Sequence, residues 1–136
     1  ADHREHIKIN FPASLFREEI FRSQISTSLE SGKGFAFFTT DESSGEILGF
    51  LWLEIREDAY KDPQPYHYMD VRYLQVDANH RSQGIGSWLM EFTDKFSREH
   101  GCREVYLSTH AQNTAAFNLY KKFGFKEYHV GMRKVL

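Results

Sequence analysis

The chain is short of several things, and each shortage excludes something. It has a single cysteine, Cys102, in 136 residues. No disulfide can form within it, so a reducing, cytoplasmic setting is the expectation. It has no apolar run near the roughly 18 residues that a spanning helix needs, so no membrane span is expected. The first six residues, ADHREH, are charged and lack the apolar centre of a signal peptide. Net charge is only -2, which argues against a broad nucleic-acid-binding surface. Internal repeats, low-complexity tracts and interdomain linkers are also missing. What is present is apolar and aromatic: 12 Phe, 7 Tyr and 40% hydrophobic residues. That composition belongs to a globular chain with a real core, and its length suits one domain.

Periodicity gives the order of elements. His6 to Phe11 alternates weakly as a first strand. Pro12 suits a helix start, and Phe16, Ile20, Phe21, Ile25 and Leu29 then recur at helical spacing through Glu30. Gly32 and Gly34 end that helix, and Gly32-Lys33-Gly34 reads as a turn. Phe35 to Thr40 is a strand, Asp41 to Gly45 a hairpin turn, and Glu46 to Arg56 a strand apolar on both faces, hence central. Asp58 to Pro65 is a loop. Tyr66 to Asp77 is a strand, Ser87 to His100 a helix, Glu104 to Thr109 a strand, Asn113 to Phe123 a helix, and Phe125 to Val135 a last strand. Hairpins first and crossovers later predict an α/β (α+β) fold, with a mixed sheet and helices on both faces.

Val71 to Met90, VRYLQVDANHRSQGIGSWLM, is the most informative stretch. A strand feeds a glycine-bearing loop, and the loop feeds a helix. Backbone N–H groups then converge at the positive end of the helix dipole, where phosphate oxygens bind. Gly84 and Gly86 would let a pyrophosphate approach the backbone closely. The dinucleotide fingerprint fails because Leu89 stands at its third glycine. The P-loop pattern fails because no Gly-Lys-Ser/Thr follows. What remains is R-x-x-G-x-G from Arg81 to Gly86. The second stretch is Asn113 to Phe125, with Asn113 as N-cap, a stripe of Ala116, Leu119, Tyr120 and Phe123, and Gly124 after the helix.

Together the two stretches resemble the GNAT superfamily of N-acetyltransferases. Arg81, Gly84 and Gly86 match its acetyl-CoA loop. Asn113, Ala116, Leu119, Tyr120, Gly124 and Phe125 match its N-x-x-A-x-x-L-Y-x-x-x-G-F pattern. The likeness covers residues 35–128, while residues 1–34 carry little of it. It implies a mostly antiparallel central sheet of six to seven strands in one domain over residues 1–136. Residues 1–34 would form the acceptor side and residues 35–136 the acetyl-CoA core. It further implies transfer of an acetyl group from acetyl-CoA to a primary amine by direct attack in a ternary complex, without a metal. The cofactor arm would lie along Leu74, Gln75 and Val76. The pyrophosphate would sit on Arg81, Ser82, Gln83, Gly84, Ile85, Gly86 and Ser87. Asn113 would hydrogen-bond the arm, and Tyr120 would protonate the leaving thiolate.

The general base is open among three residues and a water relay with no dedicated base. Asp70 lies four residues before Leu74, on the same face by strand alternation, and the histone-acetyltransferase branch carries its glutamate base at the matching position. Glu54, a charge within an apolar strand, and His110, at the end of the next strand, are the alternatives. Asp70 could instead be an ion-pair partner of Arg72 or Arg103. Trp52, Tyr60, Tyr66 and Tyr68 serve core packing or an acceptor pocket, and Cys102 reads as inert. The implied partner is a small-molecule or peptide amine, bound by a monomer or homodimer. The other reading is a catalytically silent acyl-CoA-binding or sensing module. Tyr120 speaks against it, since a silent copy has no use for a general acid.

Overall fold

The computed structural model describes residues 5–6, 19–58, 66–80 and 83–136. Its elements run β1 (Glu5–His6), α1 (Glu19–Glu30), β2 (Gly34–Thr40), β3 (Ile47–Asp58), β4 (Tyr66–Val76), a 3-10 turn (Ala78–His80), α2 (Ile85–Glu99), β5 (Glu104–Leu107) and α3 (Thr114–Lys122). The five strands form one sheet in chain order. The first three pairings are antiparallel and β4–β5 is parallel, with α2 as the crossover. Most of the expected first strand and helix start, and the loop after Asp58, lie outside the described residues.

Alternation along β2 and β3 sends their side chains to two cores. Phe37, Leu51, Leu53, Met69 and Val71 pack with Ile85, Leu89, Phe92 and Phe96 of α2. Phe38, Phe50 and Trp52 pack with Ile25 of α1. The helices therefore lie on opposite faces, and β3 is central, as its double-sided apolar pattern requires. Along α2, Trp88, Phe92, Phe96 and His100 stack at i,i+4 spacing, with centroids 5.7, 5.7 and 4.0 Å apart. Phe35 and Phe37 of β2 meet that column edge-on at 4.9 and 4.8 Å. The column fixes the tilt of α2, and so where its N-terminus points.

Two expectations about the sheet are corrected. The described residues hold five strands, not six to seven. Phe125 to Val135, expected as the last strand, pairs with no strand among the described residues. Tyr128, Val130 and Met132 keep the alternation of a strand but are 63%, 72% and 94% exposed. Tyr128 comes within 6.3 Å of Tyr106 of the edge strand β5, yet no ladder forms between them.

A third correction concerns β4. Trp52 pairs with Tyr73, but Leu53 pairs with Val71, which leaves Arg72 as an extra residue in β4. The bulge reverses the parity of the strand. Asp70 pairs with Glu54, on the α1 face, whereas Leu74 pairs with Leu51 and packs against the α2-side core. Asp70 and Leu74 are therefore on opposite faces, not on the same one.

Candidate active site

The ladder between β4 and β5 stops at Val71–Leu107. β4 runs on to Val76, still paired with β3 as far as Gly49. β5 itself ends at Leu107, so the edge of β4 from Arg72 to Val76 is without a strand partner among the described residues. The open cleft there is lined by Asp70, Arg72, Leu107, Ser108, His110 and Tyr120, among others.

The start of α2 lies next to the end of β4. Gly84, with φ +78°, is the N-cap of α2 and has no side-chain cap. That φ is the left-handed region that glycine alone enters freely. The first intrahelical bond is from Trp88 N–H to the Gly84 carbonyl. The amides of Ile85, Gly86 and Ser87 therefore precede the hydrogen-bonded ladder, with no acidic residue in the first turn. The helix starts at Ile85, two residues before the expected Ser87. At Gly86 an added Cβ would meet Leu119 Cδ2 of α3 at 3.4 Å and Val76 Cγ2 of β4 at 3.8 Å, ordinary contact distances, so α2, α3 and β4 adjoin there. Arg81 and Ser82, predicted at the pyrophosphate, lie outside the described residues, while Gln83 is exposed beside Gly84. Asn113 caps α3 as expected, its Oδ1 accepting from Ala116 N–H at 3.3 Å.

Tyr120 lies half-buried on α3, its ring 5.9 Å edge-on from Phe125. Burial pushes its phenol above the usual range, so it keeps its proton at neutral pH.

The three base candidates are separated by their surroundings. Glu54 is pinned: Oε2 accepts from Ser28 Oγ at 2.7 Å, and Oε1 is 3.0 Å from Arg56 Nη2. Ser28 Oγ in turn accepts from the buried Trp52 Nε1 at 3.1 Å. Asp70 is 8% exposed and lines the cleft. Its Oδ2 lies 3.0 Å from Arg56 Nε and 3.6 Å from Arg72 Nη1. The Arg56 Nε contact is an ion pair too bent for a hydrogen bond. Burial raises the Asp70 carboxyl above the usual range, against the pull of Arg56 and Arg72 and with some help from Glu54. His110 lines the cleft but is exposed. Arg103, considered as a partner of Asp70, instead stands over the Tyr66 ring at 4.9 Å.

Sequence reasoning missed Arg56 and Ser28. Arg56 follows Glu54 by two, so the same-face pair was visible, but its reach to Asp70 depends on the β3–β4 register. Of the aromatic residues, Trp52 is core, Tyr68 lies in the cleft with Tyr106 at 6.3 Å, and Tyr60 lies outside the described residues. Cys102 is half-buried, and burial raises its thiol, which fits an inert side chain. Glu46, Asp77 and His80 bring ligand-type atoms within 4.8 Å of one another. His80 Nδ1 lies 2.7 Å from Asp77 Oδ2 and Nε2 lies 3.7 Å from Glu46 Oε2, so the imidazole ties the hairpin turn to the end of β4.

The profile of the acetyltransferase (GNAT) family matches residues 3–125. The chain belongs to that family. Relatives of this GNAT chain include an N-alpha-acetyltransferase of Sulfurisphaera tokodaii, 34% identical over 99 residues, which cover 70% of this chain and 59% of that protein. A mycothiol acetyltransferase of Rhodococcus erythropolis is 29% identical over 102 residues, 75% of this chain and 32% of that protein. The chain thus spans between a third and three-fifths of the length of these two relatives. An acetyltransferase structure from Trypanosoma brucei has a TM-score of 0.69 at 20% identity, covering 91% of this chain and 87% of that one. This last likeness is one of fold. Among the described residues, no helix is long and apolar enough to cross a membrane.

Proposed function

We propose that this GNAT domain moves the acetyl group of acetyl-CoA to a primary amine in a ternary complex. The observation that supports the reading is that β4 runs on past the end of β5, which leaves its backbone edge from Arg72 to Val76 without a strand partner among the described residues, near the start of α2 and the cleft that Tyr120 and Asp70 line. When bound, acetyl-CoA would supply the thioester. Leu74, Gln75 and Val76 would bind its arm, and the loop from Arg81 to Ser87 its pyrophosphate. Asn113, whose Oδ1 caps α3, still has Nδ2 to donate to the arm. The relatives' names, one of them an N-alpha-acetyltransferase, support an amine acceptor, whether a small molecule or a peptide.

An amine with a pKa near 10.4 is neutral about once in 10³ at pH 7, so its deprotonation costs about 4–5 kcal/mol. Asp70 is the base that fits. It takes one ammonium proton, directly or through a water, and releases it to solvent. The nitrogen attacks the thioester carbon, and a backbone N–H near Leu74 to Val76 steadies the oxyanion. On collapse the C–S bond breaks. Tyr120 gives its proton to the thiolate and is reprotonated by the second proton lost from nitrogen. The sum is an amide, free CoA thiol and one proton. Glu54 is held by Ser28 and Arg56, so it is not the base in this scheme.

The test is thiol release from acetyl-CoA with a panel of amines: a peptide with a free N-terminus, an N-capped lysine peptide and spermidine. Amine-dependent release that Tyr120→Phe lowers is expected. Release that is independent of amine and unaffected by Tyr120→Phe would overturn the reading.

A further inference from the structure

We propose that Arg56 is a positioning residue for this transfer: it holds Asp70 by Oδ2, leaves Oδ1 without a partner among the described residues, and ties that carboxylate through Glu54 and Ser28 to helix α1. The inference rests on Asp70 as the base. The geometry is a continuous line of side chains. Trp52 Nε1 donates to Ser28 Oγ at 3.1 Å, and Ser28 Oγ donates to Glu54 Oε2 at 2.7 Å. Arg56 then spans two carboxylates, with Nη2 3.0 Å from Glu54 Oε1 and Nε 3.0 Å from Asp70 Oδ2. Glu54 and Asp70 are register partners, so the two acids face each other across the ladder. Arg56 thus presents two different nitrogens of one rigid guanidinium to the two carboxylates, the Nε contact being an ion pair.

Among the described residues, Arg56 of β3 and Arg72 of β4 form ion pairs with Asp70, Glu54 of β3 and Tyr106 of β5 are its register partners, and Tyr68 of β4, His110 of the following loop and Tyr120 of α3 line the same cleft with it. Of the two guanidinium groups, Arg56 comes nearer, 3.0 Å against 3.6 Å. Arg56 therefore does most to keep this buried acid ionised, and so able to accept a proton. Because Glu54 fixes Arg56 and Ser28 fixes Glu54, a shift of α1 would be felt at Asp70. Gly34 lets α1 come this close: it is the register partner of Glu54, and a Cβ on it would collide with Ser28 Oγ.

The experiment has two arms on the intact chain. The first follows the Asp70 carboxyl by carbon-13 NMR across pH in wild type, Arg56→Met and Arg72→Met. The second records kcat/KM against pH with acetyl-CoA and whichever amine of the panel above supports release, in the same proteins and in Asp70→Asn. In Arg56→Met the carboxyl midpoint is expected to rise by about 1 pH unit or more, the effect of losing one close opposite charge. The acid limb of kcat/KM should rise with it, and Arg72→Met should move both less. Arg56→Gln, which also removes the charge from this half-exposed site, serves in place of Arg56→Met should that variant not fold. An unmoved midpoint overturns the role of Arg56, whatever Asp70→Asn does. A midpoint that moves while the kinetic limb stays overturns it too. If Asp70→Asn keeps the wild-type rate at every pH, the base reading itself has failed.

Discussion

Glu54 and Asp70 stand opposite each other across the β3–β4 ladder, and one guanidinium, that of Arg56, touches both. Two carboxylates that the sequence offers as rival bases are thus parts of one network. Glu54 anchors it on the α1 side, and Asp70 ends it at the cleft.

Asp70→Asn should have a pH-dependent effect on stability. The folded-state carboxyl is raised above the unfolded value, so the folded state binds this proton more tightly. The contribution is fully present below the unfolded pKa and is lost as pH rises through the folded one. Relative to Asp70→Asn, wild type should therefore gain melting temperature as pH falls from neutral toward 4, about the unfolded value. A difference that is constant with pH, or that shrinks toward acid, would contradict the burial argument.

Tyr120→Phe keeps the ring against Phe125 and removes only the hydroxyl. If that hydroxyl protonates the thiolate, kcat should fall by about 10²-fold, with KM for acetyl-CoA little changed. A fall of less than about threefold, with chemistry rate-limiting, would leave Tyr120 a packing residue.

Gly86 permits a graded test. Alanine there meets Leu119 and Val76 at ordinary contact distance, and its stability should change by less than about 0.5 kcal/mol. Valine drives further methyl groups between α2 and α3 and should destabilise by about 1–3 kcal/mol, as overpacking does. Its CoA affinity should drop at least about tenfold, since the amides before the helix ladder move with α2. Urea denaturation and calorimetry read the two effects separately. A valine variant with wild-type stability and affinity would mean that neither contact matters.

Gly34→Ala should be more damaging than a glycine-to-alanine change in an exposed strand. The new Cβ collides with the Ser28 hydroxyl and its backbone, so α1 must back away from Glu54. A loss of about 1–3 kcal/mol is expected in urea denaturation, with a change in the Trp52 fluorescence environment. Unchanged stability would mean that the Ser28 contact is not tight.

Much of this was legible in the sequence because it depends on local chemistry. Gly84 marks the start of α2 and Gly86 its first turn, Asn113 caps α3, and the double-sided apolar run of β3 places it centrally. What was not legible depends on pairing. Strand parity put Asp70 and Leu74 on one face, but a single extra residue, Arg72, separates them, and a bulge leaves no local signal in the residue types around it. Arg56 became important only when the register set it between Glu54 and Asp70. Tyr128, Val130 and Met132 have the alternation of a strand, yet alternation cannot supply a partner edge.

The central claim is that acetyl-CoA lies along the edge of β4 beyond the end of β5, with its pyrophosphate at the start of α2. Nitrogen-15 NMR of the whole chain, titrated with CoA, tests it most directly. The amides of Gln83 to Ser87 and of Leu74 to Val76 are expected to shift together with CoA concentration, while those of β2 stay in place. No shift at millimolar CoA in the folded chain, or shifts confined to residues away from β4 and α2, would contradict the account.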